Sequence, residues 1–201
     1  PDEVRKEQAA HGVSIVEVRR DQQGEWQRVY PSGYNRRLTA NTPMAISGPC
    51  SGAQAMKTVD DPQGREVLGT LNNCAMGVTP WGTYLVAEEN WKNYFANRNR
   101  DDHAQRREHH RYGLAAGPNS HYNYWESADS RFDATPQPDR AQGGHVNEPN
   151  RFGWVVELDP FDPESKPVKR TALGRIVREG CSCVRHPDGS LAFYSGDDTK
   201  G

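Results

Sequence analysis

The chain has 201 residues, 34% of them hydrophobic and 26% charged, and its 25 basic and 27 acidic side chains leave a net charge of −2. That length suits one domain or part of a larger one, and so even a charge balance offers no basic face for nucleic acid. The 19 glycines and 14 prolines exceed the background share of about 12% and predict many turns rather than long helices, while no apolar run approaches the roughly 18 residues of a bilayer span.

Four cysteines are present, Cys50, Cys74, Cys181 and Cys183. They are too sparse for a disulfide scaffold, and none forms a CxxC pair, which argues against a zinc ribbon or a thioredoxin-type site. Cys181 and Cys183 are two apart, so they share one face of a strand and read as free thiols. The sequence begins PDEVRKEQAAHG, with neither an initiating Met nor a signal peptide, and reads as a mature form or a fragment.

In chain order, residues 1–10 read as a loose start or a short helix. Residues 11–20 alternate apolar Val13, Ile15 and Val18 with polar side chains and read as a strand. DQQG then makes a turn, and residues 25–30 read as the returning strand of a hairpin. Residues 42–49, punctuated by Pro43 and Pro49, read as an irregular connection. Short β-like runs follow at 65–73, 82–90, 151–160, 169–177 and 190–198, separated by DPQG, TPWG, DPFDPESKP and HPDG. Strands of this length with regular turn signals suggest a sandwich, barrel or propeller, and no strict period selects among them. The segment 92–146 differs: residues 92–112 read as a short polar helix and the remainder as a long surface loop, an insertion that covers a site.

Chemistry concentrates in four places. In residues 72–91, Cys74 sits in an Asn- and Gly-rich turn, and Glu88 and Glu89 end a short apolar strand. A thiolate suits a transition metal and carboxylates suit calcium, so the three can meet at one centre; they also fit a buried cysteine beside a solvated strand end. In residues 147–160, Glu148 and Glu157 are oxygen donors or simply solvated acids. In residues 174–184, Glu179 precedes Gly180, where backbone can turn tightly, and Arg175 and Arg178 are candidates for an anion such as phosphate or for surface ion pairs. The acids of YSGDD, residues 194–198, suit calcium or a polar turn. DPFDPES lacks EF-hand spacing. His109 and His110 form no HExxH pattern and read as a solvated face, His121 and His145 flank the long loop, and neither a GxSxG elbow nor a Walker loop occurs.

Taken in order, HGVSIVEVRR, YNRRLTANTPM, GTLNNCAMGVTPWGTYLVAEENW, NEPNRFGWVVELDP, KRTALGRIVREG and YSGDD resemble the PhoX family of bacterial alkaline phosphatases. The resemblance covers most of the chain outside 92–146. It implies an all-β protein, residues 1–201 forming the N-terminal part, about half, of a six-bladed β-propeller with 92–146 as a loop or insertion within it. It implies an iron and calcium centre with Cys74 on iron and with Glu88, Glu89 and Glu179 as acidic ligands. It further implies hydrolysis of phosphate monoesters, twin-arginine export to the periplasm or the medium, and a remaining C-terminal half that completes the propeller. Met76, Arg178, Cys181 and Cys183 depart from the family pattern. Those departures leave room for a non-catalytic, calcium-stabilised propeller used for binding, or for a calcium-dependent lactonase, which needs no cysteine ligand. The isolated chain is expected to be inactive, since missing blades leave strand edges unpaired.

Overall fold

Short alternating runs broken by Gly and Pro produce short strands, and the computed structural model, which describes residues 1–199, is mostly β with few helices. The chain opens with α1 (Asp2–Ala10), whose Asp2 and Glu3 complement the positive end of the helix dipole. Val4 and Gln8, four apart, are its buried residues. Strand β1 (Val13–Ile15) pairs antiparallel with β4 (Arg36–Leu38). Between them β2 (Val18–Arg20) and β3 (Trp26–Arg28) form the expected hairpin. Its turn is held by Asp21, whose carboxylate accepts from the backbone N–H groups of Gln23 and Glu25.

The central sheet has six strands: β5 (Pro43–Ser47), β6 (Glu66–Leu68), β7 (Asn73–Val78), β8 (Tyr84–Glu88), β11 (Val155–Leu158) and β12 (Val168–Arg170), in spatial order β6-β5-β12-β11-β8-β7. All neighbours are antiparallel except β12 and β5, which run parallel. The stretch expected to be irregular at 42–49 is therefore the second strand of the sheet. Met44 and Ile46 alternate into the core, and Pro43 is tolerated because it is the first strand residue. A small parallel pair, β9 (Ala96–Asn97) and β10 (Ala115–Ala116), lies apart from this sheet. The chain then returns as the ribbon β13 (Arg178–Arg185) and β14 (Leu191–Asp197), with β13 packed against β7 and β8. Among the described residues the sheets do not close into a barrel, and no helix is long and apolar enough to cross a membrane.

Residues 92–146 do not lie over the surface as expected. They contain two short α-helices, α2 (Arg100–Gln105) and α3 (Arg107–Tyr112), and several single 3-10 turns, and deliver Leu114, Trp125, Phe132 and Ala134 into the main core. There Phe95 stacks on Phe132 at 5.1 Å between ring centroids, and Trp125 meets Phe132 edge-on at 4.9 Å. The polar composition of the segment conceals these few large anchors, each burying enough apolar area to hold an otherwise irregular path. Its histidines divide: His103, His109 and His145 are buried, against the solvated face expected for 109 and 110, while His110 and His121 are exposed.

Candidate metal centre

Two β-bulges build the site. On β7, Asn73 pairs with Glu88 and Met76 with Val86, so β7 carries one extra residue around Cys74 and Ala75. On β13, Glu179 pairs with Gly196 and Ser182 with Tyr194, so β13 carries one extra residue around Gly180 and Cys181. Bulges kink a strand and re-aim its side chains. Gly180 has φ +82°, the left-handed region that a bulge glycine supplies without strain. The bulges face each other, since a Cβ at Gly180 would lie 3.9 Å from that of Ala75. The result is a Cys74 Sγ to Glu179 Oε1 separation of 3.8 Å between residues 105 apart in sequence.

Glu89 joins them through a backbone clamp. Asn72, at φ 46°, occupies the left-handed region that asparagine tolerates best after glycine. Its carbonyl accepts from the Glu89 N–H at 3.1 Å and its Oδ1 from the Asn90 N–H at 3.3 Å. Partial burial pushes the Cys74 thiol up, and the carboxylates of Glu89 and Glu179 push it the same way. Lys92 stands beside this cluster, its Nζ 3.2 Å from Asn90 Oδ1. Partial burial draws its ammonium down, while Glu89, Asp198 and Asp197 hold it up. Sequence reasoning missed both Asn72 and Lys92; the one available signal was asparagine in a tight turn ahead of the cysteine.

Glu88 is not brought to this cluster. Successive strand residues point to opposite faces, and Glu88 turns inward where Glu89 turns out. It is fully buried, with Oε1 2.7 Å from Lys169 Nζ and Oε2 accepting from the backbone N–H groups of Gly153 and Trp154 at 3.0 and 3.1 Å. Both of its oxygens are occupied, so of the four residues that the resemblance assigns to the centre, Cys74, Glu89 and Glu179 lie near one another and Glu88 does not.

The two arginines are likewise committed elsewhere. Arg175 lies against both Trp91 and Tyr112, its guanidinium carbon 4.1 and 4.3 Å from the ring centroids. It donates to the carbonyls of Phe152 and Pro149 at 2.8 and 2.7 Å, and burial lowers it to about 10. Arg178 is buried and donates to the carbonyls of Leu173 and Gly174, both at 2.8 Å.

The remaining candidates serve the framework. Glu148 lies between Arg131 and Arg151 at 3.8 and 3.5 Å. Burial alone would raise the Glu157 carboxyl, but hydrogen bonds from Thr83, Trp81 and Arg170 outweigh it and hold it low. His145 bonds Asp60 at 2.8 Å. Asp197 Oδ1 accepts from the Val177 N–H at 3.2 Å. All four cysteines are free, and Cys181 and Cys183 pack with Leu85, Val155, Leu173 and Phe193.

Among the described residues no group of three or more His, Cys, Asp and Glu side chains stands ready to hold a metal ion. The donor chemistry of the cluster nevertheless fits one: a soft sulfur beside hard carboxylates, Glu179 exposed and Glu89 half-buried, neither of them in a salt bridge with an arginine or lysine among the described residues. What the fold and site define is a β-sheet protein with a thiol–carboxylate pair raised on facing bulges.

The chain belongs to the alkaline phosphatase PhoX family, whose model matches residues 1–201. It is similar to a solved structure, Pseudomonas fluorescens PhoX in complex with vanadate, a transition state analogue, at 47% identity and a TM-score of 0.85. That match covers 98% of this chain and 32% of the other, so this chain spans about a third of the solved relative's length. No curated protein matches it.

Proposed function

We propose that this chain is part of a metal-dependent phosphomonoesterase that hydrolyses phosphate monoesters at an iron and calcium centre. The observation that carries the reading is the 3.8 Å approach of Cys74 Sγ to Glu179 Oε1, with Glu89 clamped alongside. Family membership and a relative that binds vanadate as a transition state analogue support phosphoryl chemistry. Cys74 serves as the thiolate donor to iron, and Glu89 and Glu179 as oxygen donors to iron or calcium. When bound, the ions supply positive charge to the phosphate oxygens and to the developing charge on the leaving oxygen.

The chain's own residues prepare that charge. Partial burial first, and then the neighbouring carboxylates, keep the Cys74 proton on in the metal-free protein, so loading the site releases it. Lys92 offsets part of the negative charge of Glu89, Asp197 and Asp198. Glu88 anchors the end of β8 from inside, which fixes where Glu89 emerges. The remaining donors come from further chain, the solved relative being about three times the length of this one, and in this reading the strands described here form one portion of a β-propeller. The isolated 201 residues are then inactive, and the whole protein acts outside the cytoplasm, in the periplasm or the medium.

The test is made on the full-length protein with Cys74→Ser and Glu179→Gln. Both variants are expected to lose iron by elemental analysis and hydrolysis of a generic aryl phosphate by at least about tenfold. Near-normal metal content and turnover in both removes the reading. Calcium without iron in the parent, together with no hydrolysis, favours a binding module instead.

A further inference from the structure

Beyond the donors themselves, the crossing of β13 over β7 decides how far apart they stand. Gly77 is buried, three residues after Cys74, on the strand β7. An ideal Cβ built there would lie 1.8 Å from the Cys181 carbonyl oxygen and 2.9 Å from its carbon. Both contacts are with backbone, so no rotamer change relieves them, and the two strands would have to part. Cys181 itself is held from the other side, fully buried against Leu85 and Val155 of the central sheet. It lies two residues after Glu179, inside the same bulge. The crossing therefore sits within three residues of both members of the sulfur–carboxylate pair.

We propose that Gly77 is a positioning residue for the metal centre: the absence of a side chain lets the Cys181 carbonyl lie against β7, and that contact sets the separation of Cys74 from Glu179. This rests on the reading of those two residues as metal donors. The glycine is needed here for close approach of two backbones rather than for an unusual dihedral angle.

Two other glycines supply controls. A Cβ at Gly196, on the neighbouring strand β14, meets Glu179 O at 3.5 Å, an ordinary contact, and one at Gly33 meets nothing within 4 Å. In the full-length protein, Gly77→Ala is expected to weaken binding of cobalt, a spectroscopic probe for the thiolate site, by about 10- to 100-fold. The readout is the sulfur-to-cobalt charge-transfer band, identified by its loss in Cys74→Ser. Gly33→Ala and Gly196→Ala stay within about threefold of the parent. Should Gly77→Ala fail to fold, Cys181→Val enlarges the side chain where β13 rests on Leu85, the β8 partner of Gly77, and so lifts the same strand; it is expected to weaken cobalt binding in the same direction, whereas Cys181→Ala leaves it unchanged. Crystal structures of the folded variant and the parent give the second readout, in which the Cys74 Sγ to Glu179 Oε1 distance lengthens in the variant. Parent-like cobalt affinity in Gly77→Ala or in Cys181→Val, or an unchanged separation, overturns the proposal. If the parent shows no thiolate–cobalt band at all, the metal reading falls alone, and the measured separation still decides the role of Gly77.

Discussion

Glu88 and Lys169 meet at 2.7 Å with neither side chain exposed to solvent. Lys169 also donates to the Arg151 carbonyl at 3.0 Å and lies 3.7 Å from the centroid of the Phe152 ring. Removing one partner leaves the other charge buried without compensation. Lys169→Met is therefore expected to cost about 3–5 kcal/mol, and Lys169→Met combined with Glu88→Met to recover much of that loss. Urea unfolding of the single and double variants measures both. Equal destabilisation in the two would contradict the assignment.

Adjacent glutamates should fail in different ways. Glu89→Gln is expected to lower metal content at a nearly unchanged melting temperature. Glu88→Gln is expected to lower the melting temperature, because its amide cannot neutralise Lys169, while a folded sample keeps its metal. Paired elemental analysis and thermal melts distinguish them, and a shared phenotype would mean that the split across the strand is wrong.

His109 supplies a pH dependence. Burial first, then the charge of Arg106 and the nearby His103, lower its imidazole from 6.5 to about 3, with only Asp102 opposing. The neutral ring accepts from the Asn97 amide at 3.5 Å. A base whose value is lower folded than unfolded favours the unfolded chain once protons bind. Stability should thus be intact above about pH 6.5 and fall as pH drops towards 3, by at most about 1.4 kcal/mol per pH unit. Melting temperature against pH should fall less steeply in His109→Gln, and an unaltered slope would rule this residue out.

Arg175 should behave as a strut rather than as a phosphate contact. Its planar fork serves two carbonyls while lying against two adjoining aromatic rings, a geometry that lysine cannot reproduce. Arg175→Lys is expected to destabilise by about 2–4 kcal/mol and, in the folded full-length protein, to leave KM for an aryl phosphate within about threefold of the parent. A large rise in KM with unchanged stability would restore the phosphate role.

Much of the sheet was legible from alternation and turn signals. The 18–28 hairpin, the runs containing β8 and β11, and β14 all announce themselves by apolar spacing between Gly and Pro. Cys74 and Glu179 were legible as chemistry, because a cysteine and an acid beside glycine are unusual company in a strand. That the two belong together was implied only by the family resemblance and not by periodicity, because one inserted residue in each of two strands leaves no periodic trace beyond Gly180. Glu88 and Glu89 look equivalent in sequence. Period-two alternation separates their faces, but which face is buried depends on Lys169, 81 positions away. The 92–146 segment misled through composition, since Trp125 and Phe132 are few among many polar neighbours.

Strand β12 joins two parts of the sheet that are otherwise unconnected, the β5–β6 hairpin on one flank and the β7, β8, β11 group on the other. It lies at residues 168–170, more than a hundred positions after the strand it runs parallel to. On the ribosome, then, the first hairpin must wait with an open edge while most of this chain is synthesised, and closure is a late, long-range event. Pulse-labelled amide exchange during refolding should show β5 and β12 gaining protection together, after β7 and β8. Chaperone dependence would be concentrated in that interval.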